Sequence, residues 1–81
     1  MEMKIKLCAA LRDAAGTGEV FLPWTQGMTC GDVVRELGKK FQRMSDLLEH
    51  SFVAVNRAYA ESRRSLMPEA EVAVFPPMSG G

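Results

Sequence analysis

Histidine occurs once in this chain, cysteine twice, and tryptophan and tyrosine once each. Those scarcities exclude whole classes of chemistry. Cys8 and Cys30 stand 22 positions apart with no CxxC pair, too few ligands for a zinc site, so no metal is expected and both thiols are expected to be free. His50 follows Glu49 at the end of a short helical pattern, where a cation sits favourably against the helix dipole. Ser65, Asp46 and His50 make no nucleophile–base–acid spacing. A charge excess is also missing: ten basic and ten acidic side chains give zero formal net charge, which argues against a nucleic-acid partner because phosphate contacts need a basic surface. No apolar run approaches the roughly 18 residues that cross a bilayer, and the N-terminus lacks an export pattern. The expected address is cytoplasmic, with no membrane partner.

What remains is enough for one small domain. Eighty-one residues, 47% of them apolar, allow a single core. In Met3–Ala9, the apolar Met3, Ile5, Leu7 and Ala9 alternate with Lys4, Lys6 and Cys8, which predicts a strand with one buried face. Ala10–Ala15 reads as a helical turn stopped by Gly16, and Glu19–Leu22 as a second strand closed by Pro23. The clearest helix start is Thr29. It is a good N-cap, Asp32 stands at the capping-box position, and Met28 and Val33 occupy the hydrophobic-staple positions. Cys30, Val33, Val34, Leu37 and Phe41 then share one helix face, Glu36 and Lys40 are spaced to pair, and Gly38, which costs about 1 kcal/mol relative to alanine, is expected to mark a close approach.

Met44–Glu49 reads as a shorter helix with Ser45 as its cap, Ser51–Asn56 as a strand, and Asn56-Arg57 as a turn into an arm at Tyr59-Ala60. Glu61–Met67 is polar and is expected to cross the surface before Pro68-Glu69-Ala70 turns into a last strand, Glu71–Phe75. Strand, strand, helix, strand, strand suggests an α+β domain: a mixed sheet with the helix on one face. If Met3, Ile5, Leu7, Val72 and Val74 meet that helix, then Cys8, Ala73 and Phe75 lie on the uncovered side. Phe75 there is either part of a docking surface or a cap on the edge of the core.

The chain closes on Phe75-Pro76-Pro77-Met78-Ser79-Gly80-Gly81. Proline has no backbone N–H to give a sheet, so Pro76-Pro77 is expected to end the strand and send the chain outward. Gly80-Gly81 makes a slim, pliable end with an unhindered carboxylate. Extended at about 3.3 Å per residue, the residues after Phe75 reach roughly 20 Å from the sheet, far enough to enter a partner's cleft. The organisation expected is a body over residues 1–75 and a functional tail over 76–81. The competing reading is an ordinary loose chain end.

Four segments carry a family resemblance: Ala9-Ala10-Leu11-Arg12-Asp13-Ala14-Ala15-Gly16, similar to an A-x-x-R-[DE]-x-x-G pattern, the Thr29-capped helix, Ala54-Val55-Asn56, and Glu71 through the F-P-P-x-x-G-G ending. On these the chain resembles the small, sulfur-carrying subunits of molybdopterin synthases, ubiquitin-like proteins of the β-grasp fold. It departs from that family where Glu69-Ala70 stands in place of Gly-Asp, so the turn there must avoid positive φ. The resemblance implies that a ubiquitin-activating-like adenylyltransferase consumes ATP to adenylate the Gly81 carboxylate, and that a persulfide donor converts the adenylate to a thiocarboxylate. The large subunit then receives the tail, and sulfur passes to a cyclic pyranopterin precursor in molybdenum cofactor biosynthesis. The chain itself would bind no cofactor and hold no active site of its own. Gly81 would react, Gly80 would provide the narrow approach, Pro76 and Pro77 would aim it, Met78 and Ser79 would complete the tail, and Phe75, Tyr59, Arg12 and Cys8 are the candidate partner contacts. Arg12 is equally suited to a local ion pair. The rival readings are a sulfur carrier for thiamine, cysteine or tRNA thiolation, a ubiquitin-like protein modifier joined through Gly81, and an interaction module with an idle tail.

Overall fold

Alternation sets the sheet. Strand β1 (Glu2–Leu7) buries Met3, Ile5 and Leu7 and turns Glu2, Lys4 and Lys6 outward, and β2 (Glu19–Pro23) does the same with Val20 and Leu22 against Glu19 and Phe21. The computed structural model describes residues 1–77; Met78, Ser79, Gly80 and Gly81, on which the reacting end of the tail is expected, lie outside the described residues. Between β1 and β2, α1 (Ala10–Ala15) is stopped by Gly16 in the left-handed region (φ 77°), whose N–H donates to the Arg12 carbonyl at 2.9 Å. β1 ends two residues earlier than expected. Ala9 has φ 51° and is exposed, because the backbone must leave the sheet there to enter α1.

The main helix, α2 (Cys30–Lys40), opens on the expected capping box: the Thr29 hydroxyl accepts from the Asp32 N–H (3.2 Å) and the Asp32 carboxylate from the Thr29 N–H (3.0 Å). Met28, Cys30, Val33 and Leu37 are buried under it. Three details differ from the sequence reading. Glu36 pairs with Lys39 (3.4 Å) rather than Lys40, both of which neighbour it on the helix surface. Gly38 is not a crowded site, since a Cβ there would meet only Leu48 Cδ1 at 3.9 Å. The tight glycine is Gly31, where a Cβ would lie 3.2 Å from the Ser62 carbonyl oxygen that accepts its N–H. A 3₁₀ turn (Gln42–Met44) runs straight into α3 (Ser45–Glu49), so Ser45 is already helical and caps nothing. His50 ends that helix.

β3 (Phe52–Val55) and β4 (Ala58–Ala60) form the small hairpin arm, joined by Asn56 (φ 50°) and Arg57 (φ 72°), the two-residue turn of positive φ whose twist matches the strands it joins. The crossing segment after β4 is mostly exposed but not free of the core. Leu66 is buried, its N–H donates to the Met28 carbonyl (2.8 Å), and its carbonyl accepts from Trp24 Nε1 (2.9 Å). A turn closed by the Ala70 N–H on the Met67 carbonyl (3.0 Å) then uses no positive φ, as the Glu69-Ala70 pair requires. The last strand, β5, covers Val72–Phe75, with Glu71 just outside it.

The sheet order is β2-β1-β5-β3-β4, with β5 parallel to β1 and every other pair antiparallel. Met3, Ile5, Leu7, Val72 and Val74 form the core with α2, and among the described residues no helix covers the opposite sheet face. This α+β mixed sheet gripping one main helix is the ubiquitin-like β-grasp. Because β5 runs parallel to β1, the end of β5 lies beside Cys8, at the end of the sheet where α1 begins. None of the helices among the described residues is long and apolar enough to cross a membrane.

Candidate functional site at the root of the tail

The point where β5 ends is an aromatic corner. Phe75 is its last residue, half-buried, and lies opposite Phe52 in the β3–β5 register. Tyr59 of β4, 77% exposed, leans across both. Its ring centroid lies 5.9 Å from Phe52 in a tilted contact and 6.3 Å from Phe75 in an edge-on one. Such separations are those of favourable aromatic pairs, so the three rings support one another while leaving apolar area in solvent. Pro76 and Pro77 follow, half-buried and outside any strand.

From this corner the uncovered face continues as a depression of about 490 Å³ lined by Lys6, Cys8, Ala54, Arg57, Tyr59, Glu71, Ala73 and Phe75. Its floor is low because two alanines, Ala54 and Ala73, face each other across β3 and β5 at mid-sheet. Of the four contacts expected from the sequence, three therefore share one surface: Cys8, Tyr59 and Phe75. Arg12 does not. It is exposed on α1, its stem lies against Gly18, and among the described residues no ion pair includes it. Phe52, 47% exposed, was missed. The signal for it was present in the alternation of Phe52 and Ala54 against Val53 and Val55, which assigns the first pair to the outward face.

Cys8 is half-buried at this face, and its backbone N–H donates to the Val74 carbonyl at 3.2 Å. Cys30, the other free thiol, is buried at the start of α2. Burial pushes its thiol up, with Arg64 and a backbone hydrogen bond pulling partly the other way, which leaves little thiolate for chemistry. Among the described residues no group of three or more histidine, cysteine, aspartate or glutamate side chains is placed to hold a metal ion.

The ThiS family model matches residues 5–81. The molybdopterin synthase sulfur carrier subunit of Arabidopsis thaliana is 28% identical over 81 residues, covering 100% of this chain and 84% of that protein. The corresponding subunit of Dictyostelium discoideum is 31% identical over 84 residues, covering 99% of this chain and 96% of its own length. Among solved structures, SAMP1 from Haloferax volcanii, 28% identical, superposes with a TM-score of 0.85 over 100% of both chains. The family match thus runs from within β1, through the whole sheet and its helix, to the terminal Gly81, and the chain belongs to the ThiS family.

Proposed function

We propose that this chain is the sulfur-carrying subunit of a molybdopterin synthase, with residues 1–75 as the body and 76–81 as the delivering tail. The observation that carries the reading is the position of Phe75. The strand pairing brings the chain to the rim of an uncovered aromatic face, and Pro76-Pro77 and the Met78–Gly81 segment follow it in sequence. The curated relatives named above support the assignment by their own function.

The chemistry follows from what a carboxylate cannot do. The Gly81 carboxylate is a resonance-stabilised anion and a poor acyl donor, so it must be activated before sulfur can replace oxygen. In a ubiquitin-activating-like adenylyltransferase, a Gly81 oxygen attacks the α-phosphorus of ATP and pyrophosphate leaves. The terminal sulfur of a persulfide attacks the acyl carbon and AMP leaves. A thiol then cleaves the S–S bond, forming a disulfide with the donor and releasing the Gly81 thiocarboxylate. The large subunit receives the tail, and the terminal sulfur attacks a carbon of the pyranopterin precursor, where a C–O bond breaks and the oxygen is displaced. Hydrolysis of the acyl–sulfur bond leaves sulfur on the precursor and restores the carboxylate, and two such cycles supply the two sulfurs of the dithiolene. This chain contributes a narrow, reactive end and a docking face, acting as cosubstrate in the cytoplasm.

Intact mass spectrometry tests the reading. Supplied with the activating enzyme, ATP and a persulfide donor, the chain is expected to gain about 16 Da at Gly81, the exchange of one oxygen for sulfur at an activated acyl group. A chain that never gains it overturns the proposal. A second reading, a protein modifier joined through Gly81 to lysines, is favoured by the likeness to SAMP1, a small archaeal modifier protein. In that case the native chain would carry kilodalton additions.

A further inference from the structure

The turn between β3 and β4 is built at an avoidable conformational cost. Both of its central residues have positive φ, and the second such position is the one glycine fills most readily. Asn56 tolerates its φ of 50°, but Arg57 stands at 72° with a full side chain that is 88% exposed. A long side chain kept at a position that disfavours it is an outlier that points to use. What that side chain reaches is the depression on the uncovered sheet face.

The register explains the shape of that depression. Lys6, Ala73, Ala54 and Tyr59 form one row across four strands, with the two alanines as its floor and the lysine and tyrosine as its walls. Phe75 closes the end where the tail leaves. Arg57 stands at the other end beside Glu71, about 13 Å away along β5 at the rise of an extended strand. The socket is thus apolar at the tail root, with the Lys6 side chain on one wall and the Arg57–Glu71 pair at its far rim. Arg57 meets Glu71 only at 3.5 Å, in a pair exposed on both sides, so little holds the guanidinium in place and it can turn to an incoming carboxylate.

We propose that Arg57, with Lys6, is a charge clamp that orients the tail-receiving large subunit. That partner presents a bulky apolar side chain to the Ala54–Ala73 floor and an adjacent carboxylate that draws Arg57 away from Glu71 and faces Lys6 on the wall. The inference rests on the functional reading above and adds to it the chemistry of the partner's contact. Contacts at both ends of the socket fix the partner's direction along β5, and therefore the line on which the tail enters.

The substitution Arg57→Gly separates use from structure, because it removes the side chain and relieves the backbone together. Its melting temperature is expected to rise, while its Kd for the purified large subunit, by calorimetry, weakens about tenfold with a shallower salt dependence, as for loss of a charge at an interface rim. Arg57→Lys is expected to stay within about threefold of the parent, since it keeps the charge. Ala54→Phe, with its fold checked by circular dichroism, is expected to lose binding by filling the floor. Unchanged affinity in Arg57→Gly, or an effect seen only with the activating enzyme, overturns the clamp while leaving the sulfur-carrier reading in place. A parent chain that does not bind the large subunit overturns both.

Discussion

Asn56 and Glu71 are tied by two hydrogen bonds: the Asn56 N–H donates to the Glu71 carbonyl at 2.8 Å, and the Asn56 side-chain oxygen accepts from the Glu71 N–H at 2.9 Å. The hairpin turn is thereby fixed to the residue that leads into the final strand. Asn56→Ala removes one of those bonds and places an alanine at φ 50°. It is expected to lower stability by about 2 kcal/mol, the sum of a hydrogen bond and left-handed strain. Asn56→Gly keeps the conformation and should cost about half as much. Urea denaturation of the two variants checks the order.

The glycines of α2 give a pair of opposite expectations. At Gly38 the nearest atom to an added Cβ is a flexible leucine methyl at 3.9 Å, so Gly38→Ala is expected to stabilise the fold by about 0.5–1 kcal/mol through helix propensity. At Gly31 the nearest atom is the Ser62 carbonyl oxygen at 3.2 Å, held by a 2.7 Å hydrogen bond from the Gly31 N–H. Gly31→Ala must push that backbone away and is expected to destabilise. Thermal melts of the two variants with shifts of the same sign would refute the assignment of crowding.

The contrast between these glycines shows what a sequence can and cannot convey. Local devices were readable in full: the alternation of Met3, Ile5 and Leu7, the Gly16 stop, and the Thr29–Asp32 box each depend on neighbours within a turn or two. Long-range approaches were not. Gly31 is tight because the segment after β4 returns to it, and Leu66 is buried because Met28 and Trp24 hold its backbone, 38 and 42 positions away. The site divides the same way. The alternation of β5 assigns Phe75 to the uncovered face, but only the β3–β5 register brings Phe52 beside it and sets Tyr59 across both. Arg57 was visible as a turn residue and its position over the socket was not, since that depends on how β4 folds back over β3.

Acid should act through the start of α2. The backbone hydrogen bond from Thr29 lowers the pKa of the Asp32 carboxyl below its ordinary value, with Arg35 adding to the effect and desolvation opposing it. A carboxyl whose folded pKa is depressed contributes stability that is present above its unfolded pKa and is lost as pH falls through the folded one. The contribution should therefore be constant above about pH 4, the ordinary aspartate range, and fade below it. Asp32→Asn is expected to flatten that part of the stability profile. An unaltered acid limb in the variant would show that other carboxyls govern it. Thr29→Ala, which removes the partner hydroxyl, should cost about 1 kcal/mol at neutral pH.

The tail can be tested without disturbing the body. β5 ends at Phe75, and the sheet register, the aromatic corner and the socket are complete before Gly81 is reached. A single alanine added after Gly81 moves the terminal carboxylate by about 3.3 Å and places a Cβ where the glycines leave none. A reaction that depends on one atom presented at the correct distance does not survive such a displacement, and the rate of sulfur acceptance is expected to fall by at least about 100-fold. Melting temperature should be unchanged, and so should binding to the large subunit through the sheet face. If the extended chain accepts and delivers sulfur at the parent rate, then Gly81 is not the reacting end and the tail's role must be sought elsewhere.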